Sequence, residues 1–300
     1  MKTALLIALC VSATANAWDP AGHMLVGQVA WQSMTPSARA KAAELVASLD
    51  GKFNDGKPYN FVTVGCWMDD LRSLPKKEYP WSPLHYVDGE KTADGSAFTL
   101  PAPPHVVSAI SDNIATLRDA AATKEKRAEA LGQLIHWVGD VHQPLHTTTW
   151  NKDRGGNGYL IYGVPFTDLV AGQSSNLHTY WDKAFRFDAA EGKIVEAWKT
   201  PSSRPSAPNE GIIAERAKEM IDANSAATLA ELKLPMDAEA WVRESHIIGC
   251  TKAYPPGEHP GNIEVRKLDA DWVHGTRKIA ERRVVIAGHR LAALLNDLLK

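Results

Sequence analysis

The sequence holds 300 residues, of which 33 are Lys or Arg, 35 Asp or Glu and 11 His, for a formal charge of −2. With 44% hydrophobic and 23% charged residues the chain can bury a large core, which excludes wholesale disorder. Near-neutrality also excludes a grip on nucleic acid through a broad basic surface, so any hold on phosphate must come from a few local charges or from metal ions.

In chain order, the first segment reads as a cleavable signal peptide, residues 1–17. Lys2 supplies the positive start, Leu5 to Ala13 the short apolar run, and Ala15-Asn16-Ala17 the small-x-small cleavage site. That run is far shorter than the roughly 20 residues a membrane-spanning helix needs, and no other stretch is long and apolar enough. The mature chain is expected to begin at Trp18, outside the cytoplasm, as a secreted or periplasmic protein. Cys10 leaves with the leader. Cys66 and Cys250 remain, and a disulfide between them is expected, with two separate buried thiols as the alternative.

Residues 18–300 read as one domain, mostly helical. Thr35-Pro36 is an N-cap followed by proline at the first helical position, and Ser37 to Leu49 runs from it to Asp50-Gly51. Further helices are predicted over Val106 to Ala122, Lys126 to Val141, Asn209 to Leu232 and Asp271 to Leu299. The last carries Val284, Val285, Leu291, Leu294, Leu295 and Leu298 on one side, suited to packing on a core. Strand signals are scarce, and Tyr159 to Val164 after Asn157-Gly158 is the one small hairpin predicted. Loops fall at Asp88 to Pro104, Asn151 to Gly158 and Thr200 to Pro208. The expected fold is all-α, a single compact multi-helix domain with at most a small β-hairpin.

Chemistry concentrates in a few places. His136 and Asp140 stand four apart, as do His178 and Asp182, which on a helix puts each pair on one face. His136-Trp137-Val138-Gly139-Asp140-Val141-His142-Gln143-Pro144-Leu145-His146 packs three imidazoles and a carboxylate into one segment. On a straight helix His146 would lie about 15 Å beyond His136. Pro144 is expected to bend or end that helix, and a zinc ion needs its ligands about 2 Å away, so the segment serves at least two metal sites. His142 points away from His136 on the helix and reads as a hydrogen-bonded core histidine. Trp67-Met68-Asp69-Asp70-Leu71-Arg72 sets a carboxylate three residues before an arginine, and His85-Tyr86-Val87-Asp88 offers an imidazole near a loop. His23 lies five residues after the expected new N-terminus, whose freed α-amino group is itself a donor ligand.

As an ordered set these motifs resemble the secreted single-strand-specific zinc nucleases of the S-one and P-one type, which are similar to zinc phospholipase C and share its all-α fold around three zinc ions. The resemblance implies that Asp69, His85, His136 and Asp140 ligate a first zinc and that His146, His178 and Asp182 ligate a second. It assigns a third to Trp18, through its α-amino nitrogen and carbonyl oxygen, together with His23 and the bridging Asp140. Arg72 matches the arginine that approaches the phosphate, and Asp153-Arg154-Gly155-Gly156-Asn157 the glycine-rich loop beside the metals. Tyr86, Asp88 and Asn157 fall where a base would be contacted, with Tyr86 standing where phenylalanine is usual and Met68 where alanine is frequent.

The implied activity is endonucleolytic hydrolysis of single-stranded DNA and RNA to 5′-phosphate products by a hydroxide bridging two zincs, with 3′-nucleotidase activity beside it. Arg72 and Asp140 are the catalytic residues of that reading, nucleic acid and nucleotides its substrates, and no obligate protein partner is implied. A zinc phospholipase C is the near alternative, disfavoured by Asp182 where those enzymes usually carry Glu and by the short Trp18-to-His23 spacing. A non-catalytic zinc-binding protein is the distant one.

Overall fold

A computed structural model describes residues 18–49, 58–73, 79–162, 175–184, 187–188, 193–194, 207–234, 236–261 and 264–300. The expected leader, 1–17, and most of the loop expected at Thr200 to Pro208 lie outside the described residues. The longer helices are α1 (Pro20–Ser33), α2 (Pro36–Ala47), α4 (Val106–Arg118), α5 (Lys124–Asp140), α7 (Ala207–Ala223), α8 (Ala238–Ile248) and α9 (Ala270–Leu298), with single-turn α3 (Trp67–Asp70) and short α6 (Leu177–Asp182) between them. The fold is mainly α, as expected from the sequence.

Local chemistry sets the helix ends. Asp19 caps α1 by accepting from the Gly22 amide at 3.0 Å, with Pro20 at the first helical position. Thr35 and Pro36 do the same for α2. Helix α4 stops at Arg118, short of the predicted Ala122, because the Asp119 carboxylate turns the chain by accepting from Ala121 at 2.8 Å. Helix α7 ends at Ala223, not Leu232, where Asn224 Nδ2 donates to the Met220 carbonyl, and 3-10 turns follow. Helix α5 ends at Asp140. The residue before Pro144, Gln143, is extended, so the chain breaks where the proline demands it and re-enters a 3-10 turn over Pro144–His146.

Helix α1 lies along α9, α4 along α5, and α5 also reaches α1 and α9. The α1–α9 approach is close: a Cβ on Gly288 would stand 2.5 Å from the Val29 side chain, so only glycine fits there without a shift. Behind α5, Arg283 and Arg290 of α9 are both buried against Glu244 of α8, Arg290 Nη2 donating to Glu244 Oε2 at 2.9 Å. Arg283 Nε also donates to the His142 carbonyl at 3.1 Å, which ties α8 and α9 to the segment after α5.

The strands are short. Strand β1 (Gly89–Glu90) pairs in parallel with β2 (Thr148–Thr149). Strand β3 (Leu160–Tyr162) pairs antiparallel with β4 (Ser175–Asn176) and parallel with β7 (Arg266–Lys267), and β5 (Phe187–Asp188) pairs with β6 (Lys193–Ile194). The segment predicted as a lone hairpin at Tyr159 is therefore the middle of a three-stranded sheet, whose second partner comes from a hundred residues downstream and carries no local signal.

The disulfide expectation is corrected. Cys66 and Cys250 are both buried and are not bonded to one another, and each thiol faces its own neighbours. Cys66 Sγ meets the Pro20 carbonyl at 3.5 Å, whereas Cys250 Sγ meets His246 Nε2 at 3.3 Å and accepts from the Thr92 amide at 3.4 Å.

Candidate metal centre

Six stretches of chain deliver donors to one buried region. Helix α1 brings His23, α3 brings Asp69, the turn Ser82–His85 brings His85, the last turn of α5 brings His136 and Asp140, and the 3-10 turn after it brings His146. Helix α6 adds His178 and Asp182. The four-residue spacing that put each His/Asp pair on one helical face holds in both cases: His136 Nε2 is 3.2 Å from Asp140 Oδ2, and His178 Nε2 is 3.6 Å from Asp182 Oδ2.

Three groups of donors result, each with its ligand atoms within 4.8 Å of one another: His85, His136 and Asp140; His23, Asp69 and His136; His146, His178 and Asp182. The first two groups merge. His85 Nδ1 lies 2.9 Å from Asp140 Oδ2 and 3.1 Å from His136 Nε2, while His23 Nε2 lies 3.4 Å from Asp140 Oδ1 and 3.8 Å from Asp69 Oδ2. Asp140 thus sits between the His85–His136 pair and His23, one oxygen toward each. The rings of His23 and His136 stack with centroids 4.0 Å apart, and those of His146 and His178 at 5.1 Å. Asp69 rather than Asp70 belongs to the cluster, since the Asp70 carboxylate accepts from Tyr59 Oη at 2.8 Å.

Four of the imidazoles, all but His23, are aimed by a bond on the far nitrogen. His136 Nδ1 donates to the Gly65 carbonyl, His146 Nδ1 to the His85 carbonyl and His178 Nδ1 to the Gly155 carbonyl, all at 2.7 Å, which leaves Nε2 of each as the lone-pair donor. His85 is reversed. Tyr79 Oη donates to the Met68 carbonyl at 3.0 Å and accepts from His85 Nε2, so Nδ1 faces inward. Gln143 holds Asp182 in the same way, its Nε2 donating to Oδ1 at 2.8 Å.

The residues fit metal ions. His23 Nδ1 and Nε2, His146 Nε2 and Asp140 Oδ1 are buried with no hydrogen-bond partner among the described residues. An unsatisfied buried polar atom costs about 1–3 kcal/mol, and ligation would satisfy one nitrogen of His23, His146 Nε2 and Asp140 Oδ1. Burial pushes Asp140 and Asp182 well above the usual carboxylate range and pushes His23, His85 and His146 well below the usual imidazole range. His136 is brought down to about 4 by the same cause. Neutral imidazoles with aligned carboxylates form a donor set suited to zinc.

Arg72 Nε pairs with Asp69 Oδ1 at 2.9 Å; burial opposes its charge, but Asp69, Tyr79 and Asp140 together hold its pKa raised. Trp18 is fully buried, its Nε1 donating to the Gly139 carbonyl at 2.9 Å beside Asp140, and the Asp19 amide donates to the Asp182 carbonyl at 3.1 Å. Tyr86, 39% exposed, and Asp88 lie on the chain between His85 and β1, and Asn157 Nδ2 donates to the Arg154 carbonyl at 2.7 Å.

The glycine-rich loop abuts the centre at Gly155, where φ is +62° and a Cβ would lie 2.3 Å from the Leu145 carbonyl oxygen. The buried carboxylate of Asp153 holds it, accepting from the Trp150 and Gly156 amides at 3.0 Å and from Tyr254 Oη at 3.0 Å. His142 turns away from the cluster, as its position on the helix predicts, with Nδ1 donating to the Val138 carbonyl. Sequence reasoning missed Tyr79 and Gln143. A tyrosine six residues before a candidate ligand carries no recognisable spacing, and Gln143 had as its signal only its place inside the densest motif.

The sequence model of the family described as S1/P1 Nuclease matches residues 18–300. Among curated proteins, the chain is similar to Nuclease PA3 of Penicillium sp and Nuclease P1 of Penicillium citrinum, each 22% identical over 290 residues and covering 94% of this chain and 97% of the relative. Nuclease S1 of Aspergillus oryzae is 23% identical, over 93% of this chain and 91% of its own. These matches extend from the buried Trp18 to the end of α9, so the convergence of the donors is embedded in a likeness along the whole described chain: it belongs to the S1/P1 nuclease family and is a hydrolase of phosphodiester bonds in nucleic acid.

Proposed function

We propose that the chain is a zinc-dependent endonuclease that hydrolyses single-stranded DNA and RNA to 5′-phosphate products, with 3′-nucleotidase activity, and that it works outside the cytoplasm after removal of residues 1–17. The observation that carries this reading is the set of buried donors without hydrogen-bond partners among the described residues, His23, His146 and Asp140. His85, His136, Asp69 and Asp140 would hold one ion and His146, His178 and Asp182 a second. His23, Asp140 and the freed nitrogen and carbonyl of Trp18 would hold the third.

Bound zinc supplies Lewis acidity, neutralising phosphate charge and making water nucleophilic near pH 7. The remaining work is the protein's own. Arg72, fixed on Asp69, sets a permanent positive charge beside the cluster for a non-bridging phosphate oxygen as charge builds there. Tyr86 offers a partly exposed ring on which an unpaired base can lie, with Asp88 and Asn157 as hydrogen-bonding partners for its edge. A base held in a duplex stack has no free face to present, which is the origin of the strand preference in this reading.

The test combines elemental analysis with kinetics. Purified mature protein should carry about three zinc ions per chain and lose hydrolysis on chelation. Arg72→Ala should keep the metal and lower kcat by about 10²–10³-fold. Metal-loaded protein that leaves single-stranded DNA intact would end the reading, and equal rates on duplex and single strand would end its strand preference.

A further inference from the structure

The glycine-rich loop is wound in a way that most of its residues resist. Asn151, Lys152 and Arg154 have φ of +53°, +59° and +58°, and Gly155 and Gly156 follow at +62° and +82°. Side chains at the first three disfavour that left-handed backbone, so the loop has to be held by bonds from outside its own torsions. Asp153 supplies them. Its buried Oδ1 accepts from the Trp150 and Gly156 amides at 3.0 Å and from Thr149 Oγ1 at 3.2 Å, and Thr149 Oγ1 accepts in turn from the Arg154 amide at 3.1 Å.

The other carboxylate oxygen meets a residue that belongs to none of the sequence motifs. His259, from the segment after α8, points Nε2 at Asp153 Oδ2 from 3.3 Å, and the two side chains are 2% and 0% exposed. The Gly261 amide donates to His259 Nδ1 at 3.0 Å, so the ring proton sits on Nε2 and is donated to the carboxylate. Trp150 and Tyr159 pack edge-to-face against the imidazole, with centroids 5.1 and 5.2 Å away, and fix its plane.

The loop passes this constraint to one side chain of the candidate centre. The peptide group whose N–H, on Gly156, donates to Asp153 is the one whose carbonyl, on Gly155, accepts from His178 Nδ1 at 2.7 Å. Because that group is planar, holding its N–H also aims its C=O. The next carbonyl, on Gly156, accepts from the His178 amide at 3.3 Å, so the loop grips both the ring and the backbone of His178.

We propose that His259 and Asp153 are positioning residues for His178: the imidazole fixes the carboxylate, the carboxylate fixes the Gly155–Gly156 peptide, and that peptide sets the direction in which His178 meets His146 and Asp182. The inference rests on the zinc reading above and deepens it, making the hold on one ion depend on the chain after α8.

The experiment is a competitive chelator titration of zinc-loaded protein, with circular dichroism to compare the folds. His259→Leu should release one ion about 10–100-fold more readily and leave the others as tightly held as in wild type. Its turnover should fall at limiting zinc and recover in excess zinc. His259→Gln, which keeps a donor for Oδ2, should restore the wild-type titration. Asp153→Asn keeps an oxygen for the loop amides but offers His259 no second acceptor, so it should reproduce the selective loss and serves as the second route if the leucine variant does not fold. In a His178→Ala background, adding His259→Leu should loosen the remaining ions no further, which assigns the weakened ion to His178. Equal loosening of every ion, undiminished affinity in the folded variants, or further loosening in the His178→Ala background overturns the positioning role while leaving the zinc reading intact. Wild-type protein that takes up no zinc removes both.

Discussion

His142 uses both ring nitrogens on protein partners: Nδ1 donates to the Val138 carbonyl at 2.8 Å, and Nε2 accepts from Arg290 Nη1 at 2.8 Å. His136, six residues earlier, uses only its Nδ1 in this way, on a carbonyl outside the cluster. The two should therefore fail differently. His142→Ala leaves a cavity and part of a buried guanidinium unpaired, at a cost of about 2–4 kcal/mol in urea unfolding, with the metal count unchanged. His136→Ala should lose metal instead, and a His142 variant that loses metal while unfolding normally would refute the distinction. Tyr79 acts at one remove, since its hydroxyl fixes the tautomer of His85. Tyr79→Phe should weaken metal affinity by about 10–100-fold in a competitive chelator titration, with little change in stability of the loaded form.

At the scale of elements, glycine at position 288 lets α9 settle onto α1 at Val29. Gly288→Ala gains helix propensity but forces the two helices apart, and the packing loss should win by about 1–3 kcal/mol. Calorimetry would read it as a lower Tm, and a Tm equal to wild type would show that the contact can yield.

The same two helices mark what was legible in the sequence. Helix α9 was visible because its apolar residues fall on one side. Helix α1 was not, because Met24, Leu25, Val26, Val29 and Ala30 are buried along with His23 and two glycines, leaving no polar face to define a period. Its one local signal was Asp19-Pro20, a cap with proline behind it. Helix α8, capped by Asp237, offered Trp241, Val242 and Ser245 as a buried stripe and was likewise passed over. The donor residues themselves were readable, because imidazoles and carboxylates at helical spacing announce themselves. What aims them was hidden, since the Gly65, His85 and Gly155 carbonyls are backbone atoms any residue supplies, and only the fold brings them to His136, His146 and His178.

For the whole molecule, the first described residue is built into the candidate site. Trp18 is sealed in place by the Gly139 carbonyl, with the Asp19 amide on Asp182. If its α-amino group ligates metal, then protein retaining Ala17 should load about one ion fewer and lose most activity, whereas protein beginning at Trp18 should be complete. Full metal content and turnover in the extended form would remove Trp18 from the ligand set.

The two cysteines carry a consequence of another kind. Each thiol occupies a packed niche of its own, so among the described residues no Cys66–Cys250 bond tethers the helical core, and the stability of the chain from Trp18 onward should not depend on redox poise. A phosphine reductant should leave the thermal midpoint of the chain beginning at Trp18 where it was, and that chain should refold without an oxidant.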